Sequence, residues 1–126
     1  MRDLNVVLCG AVLAMMLGGC VSVQQQRSEA ISAYQIGDYE RAKTLFAGVI
    51  QRKPIDAVSY YYLGAIEHAQ KNYVGAMHCY EQSLRRAPSY EPAQVGMAQA
   101  KIDLGPELFE KLRTNPSFQD PVIHRD

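Results

Sequence analysis

The sequence predicts an all-α fold in which antiparallel helix pairs stack into a solenoid and a short C-terminal helix caps the stack. Three observations support this prediction. Similar residues recur every 34 positions, small residues stand at fixed helical spacing from large apolar ones, and Asp or Asn stands where helices should begin. The chain has 126 residues, which favours one folded domain.

The amino-terminal segment has the features of a secretion signal. Arg2 is followed by an apolar run from Val6 to Met16 and then by Leu17-Gly18-Gly19-Cys20. The run is shorter than the roughly 20 residues that cross a bilayer and has the length of a signal-peptide core. This order resembles the lipobox of bacterial lipoproteins, which implies removal of residues 1–19 and acylation of Cys20. The alternative is a buried amino-terminal helix in which Cys20 is simply apolar.

Acylation would hold the chain at a membrane, because burying acyl chains contributes about 0.8 kcal/mol per CH₂. Val21 follows the cysteine where an aspartate would favour the inner membrane, so the resemblance implies the periplasmic face of the outer membrane. Residues 20–26 are expected to form the lipidated cysteine and a tether of roughly 20 Å at most, which keeps the domain near the membrane. Cys79 is then the one remaining thiol, so we expect no intramolecular disulfide.

The repeat aligns two helix pairs. The second helices align Tyr39 with Tyr73, Ala42 with Ala76, Phe46 with Tyr80 and Pro54 with Pro88, and the first helices align Ala30, Gly64 and Ala98. Asp38, Asp56 and Asn72 each precede a predicted helix and are good N-caps. Small residues let two helices approach closely, and Phe46 and Tyr80 are expected to fill the space beside them.

These positions resemble the tetratricopeptide-repeat (TPR) family, whose pattern has small residues at the eighth and twentieth positions and a large ring near the twenty-fourth. The resemblance covers about residues 23–105 and implies TPR 1 at 23–56, TPR 2 at 57–90 and the first helix of a third repeat at 91–105. Gly105 and Pro106 are expected to end that helix. Residues 106–126 then predict a short helix, with Leu108, Phe109 and Leu112 packed over the stack, and an extended tail.

In TPR proteins the first helices line a concave groove, so the resemblance implies a protein partner bound there. The implied groove residues are Arg27, Ile31, Tyr34, Gln35, Val58, Tyr61, Ala65, His68, Ala69, Val95, Gln99 and Asp103. Such a mildly apolar, aromatic surface suits an extended or helical peptide, with Tyr34 and Tyr61 as anchors and Arg27 as a polar contact. Packing between helices is the alternative role of both tyrosines, and for Tyr34 it is the favoured one. Ile31 stands where carboxylate-clamp TPRs have asparagine, so capture of an acidic C-terminal tail is not expected.

Several function classes find no support in the sequence. The charges balance at 13 basic and 13 acidic residues without a basic stripe, so no nucleic-acid partner is predicted. His68, His78, His124 and Cys79 lack metal-ligand spacing, and no phosphate loop or Ser/His/Asp arrangement is present. We therefore expect no enzyme activity, no metal and no cofactor. Cys79 is interpreted as a small apolar residue, and Glu67 as exposed or paired with a lysine or arginine.

The function that these features favour is an outer-membrane-anchored TPR scaffold that binds a protein partner, in the assembly of a pilus, secretion or export system. The alternative from another class is a structural lipoprotein that self-associates into homo-oligomers, because stacked repeats usually need about three units for stability. An enzyme or metal-binding protein is the third hypothesis.

Overall fold

The structure is a computed structural model that describes residues 21–115. The predicted signal peptide, Cys20 and the tail from Pro116 onwards lie outside the described residues. Within them six helices follow one another: α1 (Val23–Gln35), α2 (Tyr39–Arg52), α3 (Ala57–Ala69), α4 (Tyr73–Arg86), α5 (Glu91–Leu104) and α6 (Pro106–Thr114). No strand is found in this part of the chain. The predicted all-α class is confirmed.

The helices pack in sequential pairs. Helix α1 packs on α2, α3 on α4 and α4 on α5, while α6 packs on α5. The first helices α1, α3 and α5 also contact one another in order. Two apolar clusters fill the layers between them: one contains Ala30, Ala42, Phe46 and Ile66, the other Ala76, Met77, Tyr80 and Ala100. The predicted small and large residues of the two full repeats therefore lie in the core.

The helix starts follow the predicted capping chemistry. The side chains of Asp38, Asp56 and Asn72 each accept a hydrogen bond from the backbone N–H three residues further on. Ser22 caps α1 in the same way, through the N–H of Gln25 at 3.0 Å. Helix α1 therefore begins at Val23, and residues 23–26 are helical where the sequence suggested a tether. Two residues, 21 and 22, separate position 20 from the helix.

The turns after the first helices share one backbone feature at the 34-residue spacing. Gly37, Lys71 and Gly105 have φ values of 79°, 62° and 88°. The positive φ reverses the chain towards the next helix, a conformation that glycine adopts without steric cost. Gly105 ends α5, as predicted. Its ψ of 142° lies outside the left-handed helical region and leads directly into α6.

The third repeat departs from the pattern because its second helix is short. Ala98 is exposed, although Ala30 and Gly64 at the same repeat position are buried, since α6 does not cover it as a full second helix would. In α6, Phe109 packs against the Tyr80 cluster, whereas Leu108 is 49% exposed. The expected packing of Leu108 over the stack is therefore wrong.

Candidate functional site

The face formed by α1, α3 and α5, called here the first-helix face, carries the predicted groove residues. Three groups of contacts cross it from one first helix to the next. They comprise an ion pair near the helix starts, a row of tyrosines and a histidine–aspartate pair near the helix ends.

The ion pair joins α1 to the start of α3. Arg27 Nη1 lies 2.5 Å from Asp56 Oδ1, and Arg27 Nη2 donates to Gln24 Oε1 at 2.6 Å. Asp56 is only 4% exposed and also accepts from the Ser59 N–H at 3.2 Å and the Ser59 hydroxyl at 2.5 Å. One carboxylate thus caps α3 and neutralises a guanidinium. Arg27, predicted as a polar contact for a partner, already has an internal partner.

The tyrosines pack into a continuous aromatic row. The Tyr34 ring lies 5.9 Å from Tyr39 and 5.2 Å from Tyr62, centroid to centroid. Tyr61 contacts Tyr62 at 5.1 Å and meets Tyr90, at the start of α5, edge-on at 5.7 Å. Burial, and then the neighbouring tyrosines, raise the pKa of both Tyr34 and Tyr61. Both rings pack between helices, and both keep part of their surface open.

The histidine–aspartate pair joins the ends of α3 and α5. His68 Nε2 lies 2.6 Å from Asp103 Oδ2, and Gln99 donates to Asp103 Oδ1 at 3.0 Å. These two hydrogen bonds, with that of His68 first, lower the pKa of Asp103. The Tyr80 hydroxyl lies 3.5 Å from His68 Nδ1 on the inner side. The structure thus brings together three predicted groove residues into one polar bridge.

The other predicted groove residues differ in exposure. Ile31 is half-buried against the Phe46 cluster, and Val58 and Ala65 are also half-buried. Gln35, Ala69 and Gln99 are exposed. Val95 on α5 is 61% exposed, which makes it the most accessible large apolar side chain among the predicted positions.

One of the helix pairs is matched by a comparison with known families. Residues 57–90 match the tetratricopeptide repeat family model. The matched segment spans α3, α4 and the turn after α4, where the sequence analysis placed TPR 2. The fold is a TPR solenoid. No curated protein sequence matches the chain.

TPR domains are generally non-catalytic scaffolds that bind proteins, and in a TPR solenoid the first-helix face is the concave one.

No helix among residues 21–115 is sufficiently long and apolar to cross a membrane. Nor does any group of three His, Cys, Asp or Glu side chains in that range lie close enough together to hold a metal ion.

Two further residues with reactive or charged side chains, Cys79 on α4 and Glu67 on α3, have structural surroundings. Cys79 is half-buried, and burial, followed by the nearby Glu67 carboxylate, raises the pKa of its thiol to about 11. Its thiolate is therefore scarce at neutral pH. Glu67 forms the predicted ion pair, with Lys43 Nζ at 3.0 Å.

Several residues that organise this face were not predicted as site residues. Ser59, Tyr62 and Tyr90 hold Asp56 and Tyr61 in place. The cap position of Asp56 was visible in the sequence, but its pairing with Arg27 crosses 29 residues of chain. Tyr62 is adjacent to Tyr61 in the sequence. Its ring points inward because α3 packs on two neighbouring helices at once.

Proposed function

We propose that this protein is a non-enzymatic TPR scaffold that is anchored by Cys20 in the periplasmic face of the outer membrane and binds a protein partner on its first-helix face. The lipobox-like sequence before Val21 supports the anchor. The single observation that carries the binding role is the composition of that face, which contains the half-open Tyr34 and Tyr61 and the accessible Val95. Pre-packed aromatic rings lose little conformational freedom on binding and are common anchors at interfaces.

The partner chemistry follows from the charges on the face. Arg27 and His68 are paired internally with Asp56 and Asp103, so few charges remain to attract a strongly charged ligand. The surface suits an apolar or amphipathic segment of a membrane-associated protein, as expected for assembly of a pilus, secretion or export system. The short distance between position 20 and α1 limits that partner to the membrane surface.

The test is site-specific photocrosslinking in membranes of the producing bacterium. A photoreactive residue at Val95 is compared with one at Ile36, which is similarly exposed at 77% but lies in the turn after α1. We expect one envelope protein to crosslink through Val95 and not through Ile36, and Cys20→Ser to abolish the product. Equal products from both positions would refute binding on the first-helix face. Retention of the crosslink in Cys20→Ser would refute the anchor.

Self-association is the second candidate function, favoured by one surface. Val95, Ala98 and Ile102 form an exposed apolar stripe along α5, at helical spacing, where a further repeat would pack. Stacking of two chains through this stripe would complete the solenoid. The same crosslinking experiment distinguishes the candidates, because self-association yields a dimer of the chain in place of a crosslink to another protein.

A further inference from the structure

The loops between repeats and the start of α1 lie together along one edge of the solenoid. This loop edge consists of residues 21–22, 53–56 and 87–90. Arg52 Nη1, at the end of α2, donates to the Val21 carbonyl oxygen at 2.8 Å. Arg86 Nε, at the end of α4, donates to the Pro54 carbonyl oxygen at 2.6 Å. The same arginine position of each repeat therefore ties one loop to the next, and the chain enters the fold at this edge.

The loop edge has an excess of positive charge. Two of its cations are neutralised, since Arg27 pairs with Asp56 and Arg85 pairs with Glu81 at 3.3 Å. Within residues 21–115, Arg52, Lys53 and Arg86 have no carboxylate within ion-pair distance, and they face one exposed acid, Glu91 at the start of α5. The carbonyl oxygens that Arg52 and Arg86 contact leave their charge in place. The Arg86 guanidinium also lies 3.9 Å from the Tyr60 ring centroid and donates to Gln82 and the Tyr60 hydroxyl, so of these three cations Arg52 and Lys53 are the exposed ones.

The opposite edge, formed by the turns at 36–38, 70–72 and 105, is balanced by comparison. Apart from the residues that form ion pairs, this edge carries two negative charges, on Asp38 and Glu40, and two positive charges, on Lys71 and Lys101. The loop edge exposes Ile55 at 74% and Val21 at 43%, and the turn edge exposes Ile36 at 77%. Charge therefore distinguishes the two edges, and the paired isoleucines provide matched reporter positions.

We propose that the loop edge binds an anionic lipid surface, with Lys53 and Arg52 at the phosphate headgroups and Ile55 at the interface. This inference rests on the proposed function, because position 20 directly precedes the Val21 that Arg52 holds at this edge. Clustered cations are attracted to anionic headgroups, and an apolar side chain among them adds interfacial burial. The first-helix face then stands roughly perpendicular to the membrane and stays open to a partner.

The test exploits the absence of tryptophan from the sequence. The full chain is purified from membranes as Ile55→Trp or Ile36→Trp and reconstituted in vesicles of phosphatidylethanolamine with phosphatidylglycerol. Quenching by brominated acyl chains reports how close each tryptophan lies to the lipid. We expect quenching of Ile55→Trp to exceed that of Ile36→Trp by roughly twofold or more, with the difference shrinking in purely zwitterionic vesicles.

Charge reversal provides a second readout with its own control. In the Ile55→Trp background, Lys53→Glu should reduce the quenching, whereas Lys71→Glu on the turn edge should leave it unchanged. If the two tryptophan reporters are quenched equally, or if Lys53→Glu does not change the quenching of Ile55→Trp, the loop edge does not face the lipid and the proposal is refuted.

The mass of the purified chain reports acylation of Cys20 separately from these readouts. If the chain is acylated but Ile55→Trp is not preferentially quenched, lipid binding by the loop edge is refuted and the proposed anchor at Cys20 is retained. A chain without acyl groups that still shows the preference overturns the anchor and supports the loop edge. If the chain carries no acyl groups and does not float with the vesicles, both the anchor and lipid binding by the loop edge are refuted.

Discussion

Lys71 has a positive φ at a position where the turns of the other two repeats have glycine. Its φ of 62° matches the positive φ of Gly37 and Gly105 at the same repeat position. A side chain in this region brings Cβ close to the backbone, at a cost of about 1–2 kcal/mol, whereas glycine has no Cβ. The strain at Lys71 is therefore a local cost that the fold tolerates.

Replacement of this lysine should stabilise the protein. We expect Lys71→Gly to raise the free energy of unfolding by about 0.5–1 kcal/mol, since relief of strain exceeds the added entropy of the unfolded chain. Urea denaturation measures the change. Lys53→Gly is the control: Lys53 follows α2 with a φ of −140°, so the same substitution brings no relief there. Equal destabilisation by both substitutions would contradict the explanation.

The sequence predicted capping residues well and cross-repeat partners poorly. Asp38, Asp56 and Asn72 were predicted because a cap and its helix are adjacent in the chain. The Arg27–Asp56 and His68–Asp103 pairs join residues 29 and 35 positions apart. Such pairs depend on how two helices rotate against each other, which one sequence does not specify.

Helix α1 illustrates the same limit for an element. In its sequence, the polar residues Gln26 and Glu29 stand where the first helix of a TPR usually has apolar residues. In the structure Gln26 accepts a hydrogen bond from Arg52 at 3.2 Å, and Glu29 forms an ion pair with Arg41. Both polar side chains thus find partners on α2. Polar partners on the paired helix let α1 extend to Val23.

Three helices meet around the ring of Tyr80. A Cβ added at Gly64 on α3 would lie 2.7 Å from Tyr80 Cδ1, and one added at Gly96 on α5 would lie 2.7 Å from Tyr80 Cζ. The ring is held between two glycines and is 2% exposed, so it has little room to shift. The alignment of small residues predicted Gly64, whereas Gly96 lies outside that alignment and was missed.

Gly64→Ala should therefore lower stability, although alanine favours helices. The substitution gains up to about 1 kcal/mol in helix propensity, but overpacking against Tyr80 costs about 1–3 kcal/mol, so we expect a net loss. Gly48→Ala in α2 is the matched control, because its Cβ would meet only the end of the flexible Gln26 side chain. Thermal unfolding of both variants measures the contrast. Stabilisation by Gly64→Ala would show that the Tyr80 ring moves freely.

The His68–Asp103 bridge makes the contact between α3 and α5 sensitive to acid. The pKa of Asp103 in the folded protein is lowered from its ordinary 3.8, first by the hydrogen bond with His68 and then by that with Gln99. The folded state therefore favours the ionised carboxylate. Its stabilising contribution is present above the ordinary aspartate range and is lost as pH falls through the lowered pKa.

Asp103→Asn is expected to reduce stability at neutral pH and to have progressively less effect below pH 3.8. Urea midpoints of the two proteins across that range measure the convergence. Glu91→Gln serves as the control, since Glu91 is exposed and forms no ion pair within the described residues. A constant difference between wild type and Asp103→Asn at every pH would mean that the aspartate acts through its shape alone.

Stability along the whole molecule should follow the number of packed neighbours each helix has. Repeat solenoids are stabilised by contacts between adjacent units, so an inner unit is covered on both sides. Helices α3 and α4 pack on helices before and after them, and α4 contains the buried Ala76, Met77, Tyr80 and Ser83. Helix α6 packs mainly on α5, reaches the Tyr80 cluster through Phe109 and contains no buried residue.

Hydrogen exchange should accordingly be slowest in the amides of α4 and fastest in those of α6. We expect α6 to open locally without unfolding of the stack, because it is joined to the core mainly through Phe109. Phe109→Ala should then accelerate exchange in α6 and leave protection in α1 and α2 unchanged, since neither helix packs against it. Mass spectrometry of peptides after timed exchange measures each helix separately. Equal protection of α4 and α6, or simultaneous loss of protection in every helix of Phe109→Ala, would mean that the capping helix and the two full repeats unfold as one cooperative unit.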